Sequence, residues 1–297
     1  MKRLILNADD FGLTAGVNRA VLELARAGAL TSATLMASAQ ATSEAAGAAL
    51  HQPGLGVGCH IVLVDGAPVL PAERIPSLID PNGPADVPRF RATLGAFVAD
   101  LLRGRIREAD IEAEAVAQIR RLQQLEINVT HIDTHKHTHV FPRVLRPLLR
   151  AAVLSNVACI RNPFEPEWSA AAAADAGWLR RMQLRALATQ RKYFLYATEH
   201  IGLTTTDGAL GVLATGSLDA PDLRRMLEAM PDGAWELVCH PGYSDPDLEA
   251  AGTRLVASRE IERIALLEVV PEFAARDPEL ALIHFGQLKA ASFQAVL

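Results

Sequence analysis

The pattern that organises this 297-residue chain starts at residues 4–12, LILNADDFG. The apolar run at residues 4–8 predicts a buried strand, and the polar residues after it predict a loop at its carboxyl end. Thr14 is then placed to cap a helix whose apolar residues recur at helical spacing until Gly28. The first unit is therefore a strand, a loop with two carboxylates, and a helix.

Strand and helix patterns alternate along the rest of the chain, which predicts a parallel sheet. Further strands are predicted at 32–36, 55–64, 128–133, 158–161, 235–239 and 280–285. Further helices are predicted at 41–51, 89–103, 109–125, 142–154, 168–189, 220–230 and 253–269. About seven or eight repeats indicate a distorted (β/α) TIM-like barrel, forming one domain over residues 1–297. Residues 65–88, rich in Pro and Gly, predict a long loop of the kind that often serves as a binding wall.

The composition narrows the class of protein. Half of the residues are hydrophobic, which allows a large core, and the net charge of −5 gives no basic footprint for nucleic acid. Cys59, Cys159 and Cys239 form no CxxC pair and no even-numbered disulfide framework, which indicates a reducing compartment. The sequence contains no apolar stretch approaching the roughly 18 residues of a membrane span. We therefore expect a cytoplasmic protein.

Polar clusters recur at the ends of the predicted strands. Asp9 and Asp10 follow the first strand, His60 lies in the third, residues 131–135 end the fourth, and His240 ends a late one. Because the carboxyl ends of parallel strands share one face, these distant residues are expected to meet there. The repeated placement, rather than any single motif, carries this expectation.

Four of the nine histidines lie within residues 130–139, THIDTHKHTH. Alternate residues of an extended chain share a face, so His131, Asp133 and His135 are expected to point the same way. A turn is expected before Phe141-Pro142, which leaves two or three of the segment's side chains at the centre of a site.

Each polar group also has a structural interpretation. Asp9-Asp10 is either a polar turn that caps a helix or a metal ligand beside a proton acceptor. His60 alone is typical of a hydrogen-bonded strand histidine, and His240, before Pro-Gly, is either structural or a general acid on a rigid turn. One Asp and two His would suit zinc, magnesium, cobalt or manganese. Cys59 and Cys239 are expected to be packed thiols, because alternation points them away from the adjacent histidines.

Residues 7–12, 58–60, 130–139 and 239–243 together resemble the YdjC-like carbohydrate deacetylases, in the order that family has them. The resemblance implies a distorted barrel that removes N-acetyl groups from amino sugars with a divalent metal ion, Mg²⁺ or Zn²⁺, and it implies a homodimer. Carried over by position, it makes Asp10, His60 and His135 the metal ligands. It makes Asp9 the general base and His240 the acid or a substrate contact.

Residues 60–71 and 161–166 are similar to the hopanoid-biosynthesis-associated, HpnK-type branch of that family. The resemblance implies an N-acetylglucosaminyl hopanoid, a glycolipid, as an alternative substrate to a chitooligosaccharide. The loops at 65–88 and 161–167 are expected to shape the sugar pocket. The expected substrate contacts are Asp65, His137, His139 and Arg161.

Two rival functions stay open at this point. One is a metal-dependent amide or phosphate hydrolase for another substrate, and the other is a non-catalytic protein that binds a sugar or a metal. The chain has no G-x-S-x-G elbow, no phosphate-binding P-loop motif and no G-x-G-x-x-G fingerprint. Serine hydrolases, P-loop NTPases and Rossmann dehydrogenases therefore lose support.

Overall fold

The computed structural model describes residues 1–84, 86–173 and 177–288 of the protein. Within them, eight parallel strands form one sheet. The strands are β1 (Lys2–Phe11), β2 (Ser32–Met36), β3 (Gly56–Ile61), β4 (His131–Thr134), β5 (Cys159–Ile160), β6 (Gly208–Leu210), β7 (Gly233–Cys239) and β8 (Leu280–Leu282). Their order is β5-β4-β3-β2-β1-β7-β6, and β8 pairs with the start of β1.

Helices connect the strands. They are α1 (Ala15–Arg26), α2 (Thr42–Ala49), α3 (Leu94–Leu102), α4 (Glu108–Gln124), α5 (Pro142–Leu154), α6 (Glu167–Ala172), α7 (Trp178–Ala188), α8 (Arg191–His200), α9 (Ala220–Ala229), α10 (Pro246–Ala250) and α11 (Ala257–Arg276). Short 3-10 helices span Ala72–Arg74, His135–Val140 and Phe285–Gln287. Over the described chain, no helix combines the length and apolar character needed to cross a membrane.

The sheet curls, because the backbone between α8 and β6 bridges its two ends. The Thr204 amide donates to the Ala158 carbonyl at 2.8 Å, and the Asp207 amide donates to the Ala234 carbonyl at 2.8 Å. The result is a curled half-barrel of seven strands, with β8 beside β1, and the predicted distorted (β/α) barrel is confirmed.

The first unit has the predicted order of strand and helix, but β1 continues to Phe11, so Asp9 and Asp10 lie within the strand and not in a loop after it. The side chain of Thr14 accepts a hydrogen bond from the Val17 amide and caps α1, and Gly28 follows the helix with a φ of 69°. Residues of β1 are buried from Leu4 onward, as expected for a strand covered on both faces.

The structure corrects several predicted boundaries. β6 was not predicted, because three residues are too few to show a period, and α8 was not predicted either. The helix predicted at 168–189 is divided between α6 and α7, and its residues 174–176 lie outside the described chain. α3 starts five residues later than predicted, because Phe90 pairs with Ile79 in an isolated bridge.

The predicted loop at residues 65–88 contains a single short 3-10 helix in its described part. The buried carboxylate of Glu114 accepts hydrogen bonds from the Val69 amide at 2.7 Å and the Leu70 amide at 3.1 Å. These bonds attach the loop to α4 beside the carboxyl ends of the strands.

Candidate metal centre and active site

A β-bulge in β1 brings two adjacent carboxylates to the same site. Ala8 pairs with Ala33 and Phe11 with Leu35, so β1 has one residue more than β2 in this interval. Asp10 takes up the extra residue with a φ of 62°, in the left-handed region. Simple alternation would send Asp9 and Asp10 to opposite faces, and the bulge turns both inward.

Asp10, His60 and His135 converge at the carboxyl end of the sheet. The Asp10 Oδ1 atom lies 3.4 Å from His60 Nε2 and 3.3 Å from His135 Nδ1, and these two nitrogens are 3.3 Å apart. Tetrahedral ligands about 2.1 Å from a metal ion would be about 3.4 Å apart. Oδ1 is buried and finds no hydrogen-bond partner among the residues that the structure describes. The three atoms therefore fit a divalent cation.

Asp133 orients His60 from the neighbouring strand. The two residues are paired in register between β3 and β4, and His60 Nδ1 donates to Asp133 Oδ1 at 2.8 Å. Burial opposes a charge on His60, but the carboxylates of Asp133, Asp9 and Asp10 outweigh it and raise the pKa of His60 to about 9. This local field favours positive charge, and the Asp133 bond leaves Nε2 facing Asp10.

The histidine-rich segment alternates as predicted only as far as His135. His131 donates through Nε2 to Asn7 Oδ1 at 3.1 Å and stacks on Phe285, below the site. Asp133 and His135 reach the site itself. Lys136 and His137 then adopt positive φ values of 57° and 51°, which ends the extended chain and begins the predicted turn.

Arg161 lies beneath Asp9 with no exposed surface. Its Nη2 and Nη1 atoms donate to Asp9 Oδ1 and Oδ2 at 2.6 and 2.8 Å, and Nη1 also lies 2.5 Å from Asp133 Oδ2. Nε donates to Glu236 Oε1 at 2.8 Å. Burial raises the pKa of Asp9, but the Arg161 guanidinium outweighs it and holds that pKa well below its usual range. Asp9 is therefore ionised at neutral pH.

Asp9, His60 and Asp133 form a second acidic and imidazole group close enough for a cation. Both carboxylates of this group already bind the Arg161 guanidinium. A cation there would compete with a fixed buried charge, so the Asp10 group is the better metal site.

His240 follows β7 and faces Asp9, with its Nε2 atom 3.8 Å from Asp9 Oδ2. Its backbone amide donates to Glu262 Oε2 at 2.6 Å. Burial lowers the pKa of His240 to about 4, so the ring is neutral at pH 7.

These groups open into a cavity of about 640 Å³, a volume typical of small-ligand sites. Asp9, Asp10, His60, His135 and His240 line it. At its edge, Lys136 forms an ion pair with Asp65 at 2.6 Å. His137 lines the same cavity.

Two predicted substrate contacts do not fit their positions. Arg161 and His139 both have 0% exposure, so neither side chain is offered to a ligand in the cavity. Arg161 uses its donors on carboxylates, and His139 Nδ1 lies 2.7 Å from Thr134 Oγ1. Both were predicted as substrate contacts because His139 lies in the histidine-rich segment and Arg161 precedes Asn162-Pro163. Their burial contradicts that prediction. Cys59 and Cys239 are buried and free, as expected of packed thiols.

Sequence reasoning did not assign a role to several buried charged residues of the site. Asp133 had a signal, since it lies between His131 and His135 on the strand face that enters the site. The partners from distant strands and helices had no sequence signal; they are Glu236, Arg259 and Glu262.

Comparisons with a family model and with curated proteins point to the same family. The family model described as YdjC-like protein matches residues 3–280. A carbohydrate deacetylase of Brevibacillus brevis is 32% identical over 287 residues, covering 96% of this chain and 99% of that protein. A chitooligosaccharide deacetylase of an Enterobacter species is 34% identical over 159 residues, covering 53% of this chain and 58% of that protein.

Among solved structures, a protein of Enterococcus faecalis provisionally described as a cellobiose-phosphate cleavage protein superposes with a TM-score of 0.73. The match covers 96% of this chain and 97% of that one, at 23% sequence identity. At this identity the likeness concerns the fold alone, and it agrees with the distorted barrel.

Proposed function

The chain belongs to the YdjC-like protein family, and from that membership and its site geometry we propose that it is a metal-dependent hydrolase that removes N-acetyl groups from an acetylated amino sugar. The observation that carries this proposal is the convergence of Asp10 Oδ1, His60 Nε2 and His135 Nδ1 beside a separately held carboxylate. The relatives that are named carbohydrate deacetylases supply the substrate class.

Asp10, His60 and His135 would hold the ion. A divalent ion there supplies Lewis-acid polarisation of the acetamide carbonyl and makes a water molecule more acidic. With a divalent ion in place of its Nε2 proton, His60 would keep its Nδ1 proton on Asp133 and offer the Nε2 lone pair to the ion. The donor set suits both Zn²⁺ and Mg²⁺.

Asp9 is the proposed proton acceptor for the attacking water. Arg161 keeps the carboxylate ionised and fixes its plane through two bonds, which is the state that a general base requires. The same bonds lower the basicity of Asp9, so the proton is held there only briefly. Oδ2 faces His240 at 3.8 Å, which gives the proton a next acceptor.

His240 is the proposed donor to the departing amine. Because burial makes the ring neutral at pH 7, His240 must receive a proton before it can give one. Asp9 is the group in position to deliver it. The two residues would thus move one proton from water to the leaving nitrogen, and acetate and a free amino sugar result.

Asp65 and His137 are the proposed sugar contacts, and Lys136 joins them through its ion pair with Asp65. The positive φ values of all three residues indicate a backbone fixed by its surroundings, as is common at binding sites. A chitooligosaccharide fits this polar edge through its hydroxyl groups.

A glycolipid is a second substrate candidate, favoured by an apolar extension of the cavity. A neighbouring pocket of about 490 Å³ shares Leu94, Lys136, His137, Leu187 and Val212 with the first. Its further walls include the apolar residues Val140, Phe141, Pro163 and Phe164, and charged residues also line it, namely Glu165, Glu167, Arg181 and Arg185. The apolar part of these walls would accept the hydrocarbon part of an N-acetylglucosaminyl hopanoid.

Two rival functions were left open by the sequence, a non-catalytic binding protein and a metal-dependent hydrolase of another substrate. A binding protein would have no need of Asp9 in an ionised, oriented state, which argues against that reading. A phosphate hydrolase would use the same ion, and acetate release measured against phosphate release separates the two.

The deciding experiment is mass spectrometry of acetyl loss from chitooligosaccharides and from an N-acetylglucosaminyl hopanoid, with and without a chelator. We expect acetyl loss that the chelator stops and added Zn²⁺ or Mg²⁺ restores. His135→Ala should lose both bound metal and turnover, while the matched surface control His51→Ala keeps both. Full turnover by metal-free His135→Ala would refute the proposal.

A further inference from the structure

The first turns of α11 carry two charged residues, Arg259 and Glu262, that are 0% and 1% exposed. Residues three apart lie on one face of a helix, and this face lies against the proposed active site. Burying a charge is strongly unfavourable unless it is paired. The partners of these two residues therefore indicate the role of this face of the helix.

Arg259 binds one oxygen of Asp10. Its Nη2 atom donates to Asp10 Oδ2 at 2.5 Å, and its Nε atom donates to the Leu255 carbonyl at 3.0 Å. The other oxygen, Oδ1, is the one that faces His60 and His135. Arg259 therefore blocks one side of the carboxylate and leaves the other side open.

The same turn also holds the segment that carries His240. The Arg259 carbonyl accepts from the Gly242 amide at 3.2 Å, and Glu262 accepts from the His240 amide at 2.6 Å. A side chain at Gly242 would approach the Arg259 Cδ atom to 3.0 Å, so glycine permits this contact. Arg259 is thus fixed at both its backbone and its guanidinium.

We propose that Arg259 is a positioning residue of the metal site, which holds Asp10 Oδ2 so that Oδ1 alone is presented to the ion. This inference rests on the proposed metal-binding role of Asp10. A carboxylate without this partner can rotate and offer both oxygens, which changes the number and arrangement of ligands around the ion. Arg259 acts only through Asp10 and does not contact the substrate.

The test is titration of the metal-free protein with Co²⁺ alone, following affinity and the visible absorption spectrum. For Arg259→Gln we expect affinity to fall about 10- to 100-fold, as for other residues that orient metal ligands, with altered absorption bands. Arg259→Lys keeps the buried charge but not the planar fork, and should show a smaller loss with an altered spectrum.

The matched control is Arg263→Gln, one turn further along α11. Arg263 pairs with Glu23 and lies over the ring of Tyr243, away from the metal ligands. We expect this variant to bind Co²⁺ with the affinity and spectrum of the unaltered protein. In deacetylation assays Arg259→Gln should lower kcat with little change in KM, since the substrate contacts are intact.

The possible results separate two failures. Normal Co²⁺ binding by the unaltered protein and by Arg259→Gln alike would overturn this inference alone. Absence of Co²⁺ binding in the unaltered protein would overturn the proposed function and this inference with it. If Arg259→Gln does not fold, Arg259→Lys decides, and an unchanged affinity and spectrum in that variant would overturn the inference.

Discussion

Asp9 and Asp10 are adjacent in sequence, yet each is held by a different buried arginine, and the two arginines bind their carboxylates differently. Arg161 binds both oxygens of Asp9, whereas Arg259 binds only Oδ2 of Asp10. The fully paired carboxylate is fixed in plane and charge, while the half-paired one keeps an oxygen free beside two imidazoles. The number of oxygens that the arginine occupies thus separates the proposed base from the proposed ligand.

The largest expected effect, on metal binding and on turnover, comes from removing the charge of Asp10 or of Asp9. Asp10→Asn should lose bound metal and deacetylation together, because an amide oxygen is a poor ligand for a divalent ion. Asp9→Asn should retain the metal and lower kcat by about 10²- to 10⁴-fold, the range for loss of a general base. Metal content by mass spectrometry and turnover by acetate release measure the two.

The opposite pattern, with metal lost in Asp9→Asn and kept in Asp10→Asn, would mean that the two aspartates have exchanged roles. Both variants are nearly isosteric with the unaltered residue. A change in overall fold is therefore not expected to confuse the result.

Removing the arginine that binds Asp9 should lower the free energy of unfolding. Arg161→Met leaves Asp9, Asp133 and Glu236 buried without their shared cation, and removing one partner of a buried pair lowers the free energy of unfolding by roughly 3–5 kcal/mol. Arg224→Met is the matched control, because Arg224 pairs with two glutamates but is 40% exposed. Its loss should stay below about 1 kcal/mol. Urea unfolding measures both, and equal losses would contradict the argument.

The smallest expected effect concerns the affinity of the Asp10 site for its metal ion. Asp133→Asn weakens the bond that orients His60, so we expect metal affinity to fall about 10- to 100-fold while the metal can still bind at high concentration. Asp110→Asn is the control, since Asp110 is also buried but binds Ser77 and Arg107. Chelator competition measures the affinity, and an unchanged value for Asp133→Asn would remove Asp133 from the metal site.

The strand pattern predicted most of the sheet and the face on which the site lies. The short run at residues 32–36 was correctly predicted as a strand, and all five of its residues are buried, as in a parallel sheet that is covered on both faces. The three-residue strand β6 escaped, since so short a segment shows no period. Helix α11 was predicted to end at Val269, but it continues through Pro271 to Arg276. In a sequence, a proline predicts the end of a helix, because it lacks an amide hydrogen. In the folded protein, the packing of α11 keeps the helix continuous past Pro271.

The sequence by itself determined that carboxylates and imidazoles would gather at the carboxyl ends of parallel strands, because chain direction and side-chain alternation are local properties. Only the tertiary structure decided how many oxygens of each aspartate an arginine occupies. That choice depends on the bulge at Asp10 and on Arg161 and Arg259, which lie about 150 and 250 positions away from the aspartates they bind. A buried charge pairs with the opposite charge that the fold places beside it. Because that neighbour is distant in sequence, no local pattern predicts the pair.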